Sequence, residues 1–286
     1  MKLKLIFFFV FFIAGVGNVF AQDLDFYAEQ IKNSTTESKR SALFQLRNLQ
    51  TAEASRIALP ALQDTDEIVR ATAIYSVIYL PSDEITQALL PLLQDTSSLV
   101  RKETAYALGK TKNQQAIQTL LNILEREKDL EVKSAYIVAL GEIGESFAID
   151  SLVKILQKKP KEEDDFLRRA TARSIGQIAQ VQQVNSNYVV TPESLLPEKY
   201  DTFVNLKYSN LTENNQSFRN AVSVLIAVLQ NQKESDDVRR ESAFALGTIG
   251  DVKAIENLRA NLDAKDYYLA EISKESLAKL LRDSSK

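Results

Sequence analysis

The chain has 286 residues, of which 45% are hydrophobic and 26% charged, enough apolar surface for a sizeable packed core. Its formal net charge of −3 becomes −5 once Lys2 and Lys4 of the N-terminal segment are removed, and no basic footprint for phosphate contacts dominates, so nucleic acid is not an expected ligand. Neither Cys nor His occurs, which excludes disulfides, the usual zinc sites, haem ligation by these residues, Ser-His-Asp triads and Cys-His pairs.

Residues 1–21 read as a secretory signal: Lys2 and Lys4 precede the apolar run Leu5 to Phe12, and Val19-Phe20-Ala21 forms a small-residue cleavage site. The mature chain is expected to start at Gln22 and to be exported, periplasmic or extracellular, with no membrane insertion after signal removal. An uncleaved anchor is the alternative. Residues 22–49 follow as an atypical first repeat, or cap, with amphipathic pieces at Leu24-Tyr27-Ile31 and Leu43-Phe44-Leu46-Leu49.

From Ala52 a unit of two helices repeats. A branched apolar residue recurs at Val69, Val100, Val132, Leu167, Val238 and Ile272, at spacings of 31, 32, 35, 71 and 34. Ala, Ile or Leu stands five residues later and Leu, Ile or Val eight later, the one-sided spacing of a buried helix. A degenerate copy runs from Ser38 to Leu46. First helices include Leu120-Leu121-Ile123-Leu124 and Leu152-Val153-Ile155-Leu156. Leu59-Pro60-Ala61-Leu62-Gln63-Asp64 and Leu90-Pro91-Leu92-Leu93-Gln94-Asp95 carry prolines that should kink or restart the helix. Gly109, Gly141, Gly176 and Gly247, nine residues after the branched position, are expected to close the second helices.

The runs Val100-Arg101-Lys102-Glu103-Thr104-Ala105-Tyr106-Ala107-Leu108-Gly109 and Val238-Arg239-Arg240-Glu241-Ser242-Ala243-Phe244-Ala245-Leu246-Gly247 resemble HEAT repeats, specifically the short bacterial HEAT-like repeats of the phycobilisome-lyase type. Lys133 departs from the pattern where other good copies have Arg. The resemblance implies an all-α, right-handed α-solenoid of about seven helical hairpins. It implies that the basic column Arg70, Arg101, Lys133, Arg168 and Arg239, with Asp66, Asp95, Asp129, Asp164 and Asp237 nearby, serves stacking. Relatives that are metal-dependent hydroxylases or DNA glycosylases use His-Glu ligands, or Trp and a basic groove, and this chain lacks them.

The interval of 71 holds a segment, residues 181–216, without helical period. Tyr188-Val189-Val190-Thr191 and Val204-Asn205-Leu206-Lys207-Tyr208 look like short strands, so the segment reads as an ordered inter-repeat insertion such as a β-hairpin, with a disordered loop as the alternative. Repeats resume over 217–286. The charge run Lys158 to Asp165 reads as an exposed turn.

Six residues after the branched position stand Phe44, Tyr75, Tyr106, Val138, Arg173 and Phe244, where similar repeats are commonly polar. An aromatic column on the second helices is either packed core or a recognition surface. The recognition reading gives a non-enzymatic protein-binding scaffold or assembly factor without cofactor or metal, expected to hold a partner on the concave face of the solenoid, with Phe44, Tyr75, Tyr106, Phe244, Tyr188 and Tyr208 as candidate partner contacts. The alternatives are a lyase or chaperone for a chromophore protein, suggested only by the resemblance, and a structural spacer.

Overall fold

The computed structural model describes residues 24–184 and 209–283. The signal segment, Tyr188, Tyr208 and both candidate strands of the insertion lie outside them. The described residues form α-helices and short 3-10 turns and no strand. By packing, the chain divides into two compact units, residues 1–107 and 108–286, where the sequence alone suggests one continuous array.

In the first unit, α1 (24–33) precedes α2 (Thr36–Asn48), α3 (Ala52–Ala58), α4 (Glu67–Ser76), α5 (Ser82–Leu89) and most of α6 (Ser98–Thr111). Pro60 and Pro91 each open a 3-10 segment, Leu59–Gln63 and Leu90–Gln94, so the helix restarts where the ring forbids a normal α-helical bond. The second unit continues with α7 (Gln115–Leu124), α8 (Leu130–Ile143), α9 (Ile149–Leu156), α10 (Asp165–Val184), α11 (Gln216–Gln230), α12 (Asp236–Ile249), α13 (Ile255–Arg259) and α14 (Tyr267–Asp283). Second helices stack on second helices, α8 on α10, α10 on α12 and α12 on α14, while α9 packs on α11.

The periodic positions build the core. Val69, Val100 and Val238 are fully buried, and Val132, Leu167 and Ile272 nearly so. Ile74, Ala105, Ile137, Ala172 and Ala243 follow five residues on, and Val77, Leu108, Leu140, Ile175 and Leu246 eight on, all buried. At about 25 cal/mol per Å² of apolar area removed from water, such continuous columns are the main favourable term in the fold.

Polar groups fix the turns. Asp66 Oδ1 accepts from the backbone N–H groups of Ile68 and Val69, and Asp129 Oδ1 from those of Glu131 and Val132, which caps α4 and α8. Ser235, rather than Asp237, caps α12 by accepting from Val238 N–H. The basic column is a ladder: a cation of one second helix reaches an oxygen in the turn before the next second helix. Lys39 pairs with Asp64 at 2.6 Å. Arg70 pairs bidentately with Asp95 at 2.8 and 2.7 Å while donating to the Asp64 carbonyl. Arg239 donates to Asn261 Oδ1 at 2.8 Å. The deepest rung joins Arg168 to Glu234 across the insertion, with Arg168 also donating to the carbonyls of Ile155, Leu156 and Lys158.

Burial pushes the carboxyls of Asp64 and Asp95 up. The hydrogen bond and charge of Lys39 and Arg70, with the backbone N–H groups of Asp66 and Ser97, outweigh it, so both stay below the usual carboxylate range. A group depressed in the folded state stabilises above its unfolded pKa, about 4, and that contribution is lost as pH falls through the folded value. Thermal melts of the wild type and of an Asp64→Asn/Asp95→Asn variant are therefore expected to differ by more at pH 7 than at pH 3. An equal gap at both pH values would contradict this role.

The column glycines are not helix ends. α6, α8, α10 and α12 run straight through Gly109, Gly141, Gly176 and Gly247. A Cβ on Gly141 would lie 2.6 Å from Ser174 Oγ, and one on Gly109 would lie 2.9 Å from Ala139 Cα. These glycines let neighbouring second helices approach. The left-handed closures are Gly144 and Gly250, both at φ 85°, just after α8 and α12.

α10 also continues past Gln180 to Val184, and α11 opens at Gln216 with Asn215 as its cap. The two ends of the intervening segment meet: Ser209 N–H donates to Gln183 Oε1 at 2.9 Å, Gln183 Nε2 donates to the Thr248 carbonyl at 2.9 Å, and Leu211 N–H donates to the Ile249 carbonyl. Repeat stacking thus passes across the insertion undisturbed.

Candidate functional site

The aromatic column divides. In the first unit Phe44 on α2 is 55% exposed, and Tyr75 on α4 and Tyr106 on α6 are half-buried. In the second unit Phe244 is 1% exposed, so it offers no contact area and is core rather than recognition surface. The reason lies on α10: Gly176 leaves open the space that the Phe244 ring fills, since a Cβ there would lie 2.8 Å from two ring carbons. The Lys279 ammonium sits 5.6 Å from the ring centroid.

Phe44 and Tyr75 come together in a shallow groove of about 300 Å³ on the second-helix face, completed by Arg47, Ile68, Leu99 and Glu103. Ile68 is 36% exposed at the mouth. Neighbours on both sides brace Tyr75. The Arg47 guanidinium stands 5.5 Å from the centroid of its ring, and its hydroxyl donates to Glu103 Oε2. Burial, then the bond to the Glu103 carboxylate, pushes the Tyr75 hydroxyl well above its ordinary pKa, so it remains a neutral donor throughout the physiological range. A ring fixed in this way loses little freedom when a partner covers it. Chemically the groove offers an apolar floor with one cation and one carboxylate at its sides, which suits recognition of a polypeptide surface.

The second unit presents a different face. Arg169 lies 3.4 Å from Asp237 and 3.6 Å from Glu241, which is fully buried, and Arg173 approaches Glu241 at 3.9 Å. Arg240 pairs with Asp237 and stands 5.7 Å from the centroid of the Tyr268 ring. Tyr267 and Tyr268 are 67% and 61% exposed and meet edge to face. Column reasoning missed this doublet because it stands at the start of α14, before the branched position rather than six residues after it. Two adjacent tyrosines at a helix start were the available signal. Arg47 and Ile68 were missed for a similar reason, since each stands outside the aromatic column.

Among the described residues no group of side chains forms a metal cluster, and no helix is long and apolar enough to cross a membrane.

Comparisons with known proteins agree with the repeat pattern. Residues 55–141 match the family of HEAT repeats, and residues 238–264 match the PBS lyase HEAT-like repeat. No curated protein matches the chain in sequence. Among solved structures, the complex of CpcE and CpcF of phycocyanin lyase from Nostoc sp. PCC7120 is 18% identical, covering 91% of each chain at a TM-score of 0.46. Human deoxyhypusine hydroxylase is 18% identical, covering 93% of this chain and 98% of its own at 0.41. A designed armadillo repeat protein is 16% identical, covering 90% and 99% at 0.40. At these low scores none of the three bears on what this chain does. Residues 55–141 thus carry HEAT repeats and residues 238–264 a HEAT-like repeat of the PBS lyase type, and the buried periodic columns continue the same two-helix pattern through the other described repeats.

Proposed function

We propose that this protein is a non-enzymatic protein-binding scaffold or assembly factor, acting outside the cytoplasm, that recognises a partner segment on the second-helix face of its first unit. The observation that carries this reading is the braced groove, in which exposed Phe44 and half-buried Tyr75 stand on consecutive second helices beside exposed Ile68. Rigid aromatic area beside a single cation and a single carboxylate is the composition of a contact hot spot. Export rests on the sequence pattern of residues 1–21, and mass analysis of the exported form should give Gln22 as its first residue.

Pull-down after crosslinking of the exported protein tests the groove. A Phe44→Ala/Tyr75→Ala variant is expected to lose its partner by about tenfold or more, as truncating two hot-spot aromatics typically does. An unchanged set of captured proteins, with the variant folded, would refute the assignment.

A further inference from the structure

Among the described residues the charge ladder leaves Lys133 without an ion pair. Lys39, Arg70, Arg168 and Arg239 each find an oxygen in the turn before the next second helix, at Asp64, Asp95, Glu234 and Asn261. Lys133 on α8 is the ladder cation whose turn is the stretch before α10. That turn holds Lys158, Lys159 and Lys161 together with Glu162, Glu163 and Asp164, and none of these acids pairs with Lys133 among the described residues. Lys133 makes no ion pair among the described residues. Glu163 pairs with Lys161 instead.

Lys133 lines a cavity of about 610 Å³ in the second unit. Its rim carries Lys133, Lys154, Lys158, Lys159 and Lys161, opposed by Glu125 and Asp164. Its walls include Leu124 and Leu130 from one repeat and Ile155 and Leu167 from the next. The turn that presents the lysines is held from inside, because Arg168 donates to the Ile155, Leu156 and Lys158 carbonyls at 3.0 to 3.1 Å and is itself neutralised by Glu234. Arg168 therefore positions the site and contributes no net attraction to an anion there. The volume is in the range of small-molecule sites, and apolar walls with a few convergent charges are their usual make-up.

We infer that this cavity binds a small amphipathic carboxylate, an anionic head on an apolar tail, whose head completes the rung at Lys133 from outside the chain. The other ion-paired rungs use a carboxylate, which fixes the chemistry of the head. The leucines and isoleucine accept the tail, and the lysine excess sets the sign. This inference stands apart from the groove of the first unit.

Dodecanoate, ionised at pH 7, is the probe, with dodecanol as its neutral counterpart. Calorimetric titration of the full chain is expected to show saturable one-site binding of dodecanoate that weakens as salt is raised. Lys133→Met should weaken it by about tenfold or more, Lys158→Met/Lys159→Met should also weaken it, and Lys133→Arg should retain it. Because Lys133 has no ion pair to lose, its variants should melt as the wild type does, which separates lost binding from lost folding. Absent binding, equal binding by Lys133→Met, or equal affinity for dodecanol would each overturn the inference. Tighter binding of acetyl-Leu-Glu-Leu-amide than of dodecanoate would also overturn it, in favour of a polypeptide side chain.

Discussion

Replacing Glu234 by alanine is expected to destabilise the protein by about 3–5 kcal/mol, the usual cost of removing one partner of a buried ion pair. Both side chains are almost wholly buried, at 3% and 2% exposure, so solvent cannot replace the lost charge. Arg168 would keep only the carbonyl dipoles of Ile155, Leu156 and Lys158 around a buried cation. The effect is structural as well as electrostatic, because this pair ties α10 to the turn before α12 on the far side of the insertion. Glu234→Gln, which retains one acceptor, should lose less. Glu163→Ala, which removes the exposed pair with Lys161, should change nothing measurable. Urea titration gives the comparison through the midpoint, provided the slope is unchanged. A Glu234→Ala loss below about 1 kcal/mol would show that the rung does not hold the repeats together.

Gly247→Ala is the second large effect. In an ordinary helix interior the change would stabilise by roughly 0.5–1 kcal/mol, because glycine loses more freedom on folding than alanine. Here a Cβ would lie 2.7 Å from Ser276 Cα, a main-chain atom that no rotamer change can move aside. α12 and α14 would have to separate, and overpacking of this kind costs about 1–3 kcal/mol. A net loss is therefore expected by thermal or urea unfolding. A gain in stability would mean that the helices part more easily than their contact suggests.

These expectations show where the sequence was readable. The two-helix unit was legible because Val69, Val100, Val132, Leu167, Val238 and Ile272, with their companions five and eight residues on, can satisfy that spacing only by burying one helix face. The glycines were not, since a glycine near the end of a periodic stretch signals either a left-handed closure or a close approach. Only the neighbouring helix decides, and the second pair of glycines, Gly144 and Gly250, supplied the closures. Phe244 was misread for the same reason: the slot it fills is made by Gly176, on another helix and far away in sequence. Arg168 shows its basic character in sequence, but its partner Glu234 lies beyond the insertion and outside the set of nearby aspartates to which Asp164 belongs. The stretch Lys158 to Asp165 looked like a solvated turn because the missing acceptor for Lys133 becomes visible only beside the completed rungs.

The exposed face of Phe44 and Ile68 remains the surface on which the scaffold reading depends. A photo-reactive residue placed at Phe44, and in a separate protein at Glu53, an exposed position of α3 in the same unit, tests it in the exported protein. The scaffold reading predicts a discrete adduct of one partner polypeptide from the Phe44 position, abolished by Tyr75→Ala, and none from Glu53. The same adducts from both positions, or none from either, would contradict recognition on this face.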